Sequence, residues 1–218
     1  MRPILIAVLA ALFCFAAAPA FAQQDAPMPR IALAEFPPMN GAHLTVTTPS
    51  WPDGGDIPFA NTQYRANIFP GLSWTAGPDG TKSCAIIMQD PDASRNGQPI
   101  LHWTLYNVPA ATTRLDPGMV PDAKPAGSSY GPNVWGEAQP YLGPHPPPGP
   151  KHHYHLQVFA LDTVLTADPA LSYEGLTSQM QGHILASGEV VGLAEADPEA
   201  AAPAPPVPSP RPRRVQRG

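Results

Sequence analysis

Proline and glycine interrupt this chain so often that a long helix has almost nowhere to form. There are 32 prolines and 18 glycines, and they gather with Asp and Asn in clusters such as "PDGGDIP", "AGPDG", "DPDASRNGQP" and "LDPGMVPDAKPAG". Proline lacks a backbone donor and clashes with the preceding helical turn, while Gly and Asn accept the backbone angles of tight turns. What survives between the breaks is short. The runs "AHLTVTT", "SCAIIMQD", "ILHWTLYNVP" and "HYHLQVFALD" are alternating or continuously apolar, at the length of strands. In the first, Leu44 and Val46 oppose Thr45 and Thr47. One stretch, "LSYEGLTSQMQGHILAS", spaces Leu171, Leu176, Met180, Ile184 and Leu185 as a helix does. Many short strands, long turn-rich connections and one or two short helices predict a mainly β fold, an antiparallel Greek-key β-sandwich.

Both ends stand apart from that pattern. Arg2, the apolar run from Ile4 to Phe15 and the small residues of Ala20-Phe21-Ala22 have the form of a secretory signal peptide over residues 1–22. Cleavage near Ala22 predicts a periplasmic or secreted protein with no integral membrane segment. It also removes Cys14, so Cys84 is left without a disulfide partner, and its apolar neighbours make it an inert core thiol. From Ala194 the chain is rich in Ala and Pro and nearly free of large apolar residues, which predicts a disordered tail over 194–218. Residues 23–193 remain as a single domain. They carry 7 Lys and Arg against 14 Asp and Glu, a net charge of −7. A domain this acidic has no general field for nucleic acid, and an anion site in it must be built locally.

The candidates for such a site sit where strands meet loops. In "YLGPHPPPGPKHHYHLQVFALD", prolines stiffen a loop that runs into a strand. Strand alternation puts His152, Tyr154, Leu156 and Val158 on one face, and His153, His155, Gln157 and Phe159 on the other, solvated one. In "ILHWTLYNVP" the same rule groups His102 with Thr104 and Tyr106 and turns Trp103 and Leu105 away. Asp90 precedes Pro91, which is expected to end its strand and leave the carboxylate at a sheet end. Asp90, His102 and His152 together would form a compact socket for a phosphate or carboxylate. A carboxylate favours the charged imidazole and raises its pKa, and a charged imidazole donates from both nitrogens. Tyr154 adds a hydroxyl, and the prolines hold the rim without an ordering cost on binding. A histidine-rich loop is also often merely solvated, and spacing alone leaves both readings open. His43 and His183 are expected at the surface or as caps. Trp51, Trp74, Trp103 and Trp135 are expected in core and loop packing.

The segments "VTTPSWPDGGDIP", "FPGLSWTAGPDGTKSCAIIMQDPDAS", "ILHWTLYNVPA", "NVWGEAQPYLGPHPPPGPKHHYHLQVFALD" and "GHILASGEVVG" occur in this order and span nearly everything from Leu44 to Gly192. In them the sequence resembles the phosphatidylethanolamine-binding protein family, also called Raf-kinase-inhibitor-like, in its compact bacterial form. The resemblance implies a β-sandwich with a small pocket for phosphate, acetate or a phospholipid head group. It places the ligand-binding groups on Asp90, His102, His152 and Tyr154, with Pro146 and Pro147 at the rim and Asp92 ordering the nearby loop. Three residues depart from the family pattern: Ser94 follows Asp-Pro-Asp-Ala in place of proline, His145 replaces a frequent Cys, and His153 replaces a common Arg.

These observations predict a non-enzymatic, cofactor-free module that binds a small anion or phospholipid head group. Ser94, Ser128 and Ser129 are not signalled as partners of either histidine, and no phosphate-cradling glycine loop is present. Two other readings stay open. The family resemblance also implies inhibition of a protease through protein–protein contact. Two histidines and an aspartate are, in addition, a possible ligand set for zinc or iron.

Overall fold

The computed structural model describes residues 29–200, residue 137 excepted, so the expected signal peptide and the chain beyond 200 lie outside the described residues. Two helices, α1 (Ala32–Glu35) and α2 (Tyr173–Met180), accompany ten strands. These are β1 (Ala42–His43), β2 (Val46–Thr47), β3 (Gly55–Asp56), β4 (Leu72–Trp74), β5 (Ser83–Arg95), β6 (Gln98–Pro109), β7 (Arg114–Leu115), β8 (Ser129–Tyr130), β9 (His152–Leu161) and β10 (Ile184–Ala194). The large sheet runs β1-β10-β9-β5-β6-β8, with β3 also on β10, and a small sheet runs β2-β4-β7. Its long strands are antiparallel, whereas the two-residue β1 and β3 pair with β10 in parallel.

The large sheet is covered on both faces. On one, Met88, Trp103, Leu105, Tyr154, Leu156 and Val158 pack against Val46, Leu72, Trp74 and Leu115 of the small sheet. On the other, Ile87, Tyr106, Phe159 and Leu161 meet Ala32, Leu176 and Met180 of the helices. Double coverage explains why "CAIIM" is apolar without interruption, because a strand buried on both faces has no solvent side to mark. Each such side chain contributes about 1.5–3 kcal/mol on burial. Two buried glutamines tie α1 to the sheet: Ala32 N–H donates to Gln89 Oε1 (2.8 Å) and Leu33 N–H to Gln157 Oε1 (2.6 Å).

Two expectations about extent are corrected. The helical spacing seen from Leu171 to Leu185 is helix only to Met180. Ser172 caps its start by accepting from Gly175 N–H (3.1 Å), and Gly182, at φ +80°, redirects the chain into β10, which takes Ile184. The domain also extends past 193. Ala194 is the last residue of β10, and Arg65 holds the following segment through Asp197 (2.6 Å) and Glu199 (2.8 Å). The Arg65 hydrogen bond keeps the Asp197 carboxyl below its ordinary range.

Candidate functional site

At one end of the β5-β6-β9 surface lies a recess of about 230 Å³. Asp90 from β5, His102 and Ile100 from β6, and His152 and Tyr154 from β9 line it, with Pro146 and Pro147 at its rim. The structure therefore brings together six of the seven expected site residues. Asp92 is the one it does not. Its Oδ2 turns to the outer face and accepts from His153 N–H (2.6 Å) and His153 Nδ1 (2.8 Å). Burial pushes Asp92 up, but the His153 backbone and side chain outweigh it and hold the carboxyl below its ordinary range.

The placement of Asp90 and His102 depends on two irregularities of the β5-β6 ladder. Pairing passes from Asp90↔Ile100 to Ser94↔Pro99, so residues 91–93 bulge out and β5 resumes beyond Pro91. Asp90 thus sits at a bulge, not at a sheet end. Its Oδ1 accepts from the N–H groups of Asp92 (2.9 Å) and Ala93 (3.3 Å), which fixes the carboxylate from behind. A second shift lies between Met88↔Trp103 and Gln89↔Leu101, leaving His102 as the extra residue. Leu101 consequently packs on the helix-covered face and Trp103 on the opposite one. His102 lines the recess beside Tyr154, ring centroids 5.1 Å apart, in place of joining Thr104 and Tyr106 as alternation predicts. Bulges of this kind re-aim a side chain at the cost of local pairing.

Hydrogen bonds orient both imidazoles. His152 Nδ1 lies 2.8 Å from Asp90 Oδ2, with side chains only 13% and 3% exposed. His102 Nδ1 lies 3.2 Å from the carbonyl oxygens of both Leu142 and Gly143. Burial is the strongest influence on His102 and lowers its pKa, outweighing the upward pull of Asp90. The expectation that the neighbouring carboxylate raises this pKa is corrected accordingly. For Tyr154, burial and then the Asp90 carboxylate push the phenol well above its ordinary value, so it stays protonated. Among the described residues, no group of three His, Cys, Asp or Glu is arranged to hold a metal ion. The two-histidine, one-aspartate metal reading therefore loses its geometry.

A clamp that the sequence did not reveal holds the rim in place. Gln63 Nε2 donates to Gly143 O (2.6 Å), Gly143 N–H donates to Asn67 Oδ1 (2.8 Å), and Asn67 Nδ2 donates to Tyr141 O (3.0 Å). Gly143 admits this approach because a Cβ there would stand 2.4 Å from Asn61 O. Tyr64 donates its hydroxyl to Pro146 O and stacks on His145, centroids 4.3 Å apart. These residues occupy an irregular segment without a periodic pattern, so no local signal identifies them. Trp135 also departs from its expected packing role. It is 68% exposed at the mouth of the recess, beneath the Arg95 guanidinium at 5.5 Å.

Residues 47–195 match the family described as phosphatidylethanolamine-binding protein. The chain belongs to this family. Among its curated relatives, a UPF0098 protein of Methanothermobacter thermautotrophicus is 40% identical over 152 residues, covering 69% of this chain and 97% of the relative. A UPF0098 protein of Aquifex aeolicus is 36% identical, covering 72% and 91%. Of solved structures, YbcL from Escherichia coli, described as a member of the mammalian PEBP family, has a TM-score of 0.65 at 30% identity. It aligns with 72% of this chain and all of its own. A phosphatidylethanolamine-binding protein homologue from Chlamydia trachomatis gives 0.64 at 32% identity, covering 71% and 99%. The fold expected from the sequence is that of the phosphatidylethanolamine-binding proteins. Among the described residues no helix is long and apolar enough to cross a membrane.

Proposed function

We propose that this member of the phosphatidylethanolamine-binding protein family is a non-enzymatic module that captures a small anion, a phosphate or phosphate-bearing head group, in the recess of Asp90, His102 and His152. It acts outside the cytoplasm once residues 1–22 are removed. The observation that carries the reading is the enclosed His152–Asp90 pair, 2.8 Å apart, facing His102 across one walled recess. With Nδ1 held by Asp90, the other ring nitrogen of His152 is left for a guest, and a charged imidazole donates from it. Preformed walls lower the ordering cost of binding. Among the described residues lining the recess there is no Ser, Thr, Cys or Lys. Ser128 Oγ donates instead to Pro125 O (2.6 Å), and burial raises the Cys84 thiol to about 11.

Calorimetric titration with phosphate and phosphoethanolamine, from mildly acidic to alkaline pH, tests the reading. Affinity is expected to fall as pH rises, because an imidazole whose Nδ1 already carries a proton donates from Nε2 only when charged. Equal affinity at both ends of the range counts against it.

A further inference from the structure

The proton inventory of the recess walls specifies the guest further, an inference that rests on the anion-binding reading above. His102 Nδ1 stands 3.2 Å from two backbone carbonyl oxygens, which only accept. That nitrogen therefore carries a proton in either charge state, and in the neutral ring Nε2 is a bare acceptor. Among the described residues Nε2 of His102 has no partner, and the ring lines the recess. His102 is only 5% exposed, and burial favours its neutral form.

His152 is set up differently. Its Nδ1 meets the Asp90 carboxylate, so Nδ1 carries a proton there too, and charging the ring adds Nε2–H as a donor toward the recess. The titratable and charged groups around it are Asp90 and Asp92 of β5, His102 of β6, His153 and Tyr154 of its own strand, and His145 and Tyr64 at the rim. One wall of the recess donates and the other accepts.

We propose that the recess selects an oxyanion that still carries a proton of its own, whose P–OH donates to His102 Nε2 while its charged oxygens accept from His152. Inorganic hydrogen phosphate and the monoanion of a phosphate monoester meet this condition. Sulfate and the phosphate diester of an intact phospholipid do not. Hydrogen phosphate and sulfate share charge and nearly size, so their difference isolates the single proton. Sulfate would set an oxygen lone pair against the Nε2 lone pair of a ring that is only 5% exposed. One buried hydrogen-bond partner left unsatisfied lowers affinity by about tenfold to a hundredfold.

The test is competition calorimetry on the full chain with inorganic phosphate, sulfate, phosphoethanolamine and glycerophosphoethanolamine. At near-neutral pH, phosphate is expected to bind about tenfold to a hundredfold more tightly than sulfate. Phosphoethanolamine should outbind the diester and weaken as pH rises above about 6, where its last proton leaves. Sulfate or the diester binding within about twofold of phosphate overturns the proton requirement and leaves the anion site standing. Failure of all four ligands to bind at any pH overturns the anion site and the proton requirement with it. His102→Gln, whose amide can turn either a donor or an acceptor inward, should bring the phosphate-to-sulfate ratio close to one, and an unchanged ratio overturns the proposal. Nitrogen-15 spectra of histidine-labelled wild type with phosphate bound give a second readout that needs no variant. A neutral His102 protonated at Nδ1 is expected, and a charged His102 overturns the proposal.

Discussion

The two faces of β9 carry the same chemistry in different surroundings. On one face His152 meets Asp90 at 2.8 Å, and on the other His153 meets Asp92 at the same distance. The first pair is 13% and 3% exposed and the second 52% and 22%. The rim of Pro146 and Pro147, clamped by Gln63, Tyr64 and Asn67, closes over one pair only. The open pair is screened by water and neighbouring ions, so its attraction contributes little and presents no shaped space to a guest. An imidazole–carboxylate contact is therefore not a site by itself. Enclosure is what sets the His152–Asp90 pair apart.

Removing each carboxylate should break this contrast most severely. Asp90→Ala leaves the N–H groups of Asp92 and Ala93 and the His152 ring without their acceptor. Urea denaturation should show a loss of about 3 kcal/mol, along with loss of phosphate binding. Asp92→Ala should cost about 1 kcal/mol or less, and comparable losses in the two variants would erase the distinction between the faces. The histidines give a smaller effect on stability and a sharper one on binding. His152→Ala is expected to weaken phosphate binding about a hundredfold while the fold survives, because the residue begins its strand. His153→Ala should stay within about twofold of wild type by calorimetry, and a loss equal to that of His152→Ala would place the guest elsewhere.

The smallest expected effect concerns acid. Because burial lowers the His102 pKa from 6.5, the unfolded chain binds a proton there before the folded one does. The stability this group contributes is complete above about pH 6.5 and declines as pH falls toward its lowered folded value. Urea midpoints measured from neutral to mildly acidic pH should fall more steeply for wild type than for His102→Gln. Parallel curves would show that His102 is not held neutral in the fold.

The sequence determined a good deal without help. Proline and glycine spacing excluded long helices, and the period of two in "HHYHLQVFALD" separated His152 and Tyr154 from His153 and His155, because a strand turns every second side chain to the same face. Motif resemblance carried the family, and it named Asp90, His102, His152, Tyr154, Pro146 and Pro147, which the fold places around one recess. Three matters belonged to the tertiary structure alone. The bulge that turns His102 into the recess depends on how β5 and β6 pair, and a period counted along one strand cannot contain a register shift against another. The clamp of Gln63, Tyr64 and Asn67 joins segments about 80 residues apart, such as Gln63 and Gly143, through single hydrogen bonds that leave no local pattern. The protonation of His102 was decided by enclosure: the sequence shows a carboxylate that raises its pKa, but only packing shows the loss of solvent that lowers it further than Asp90 can restore.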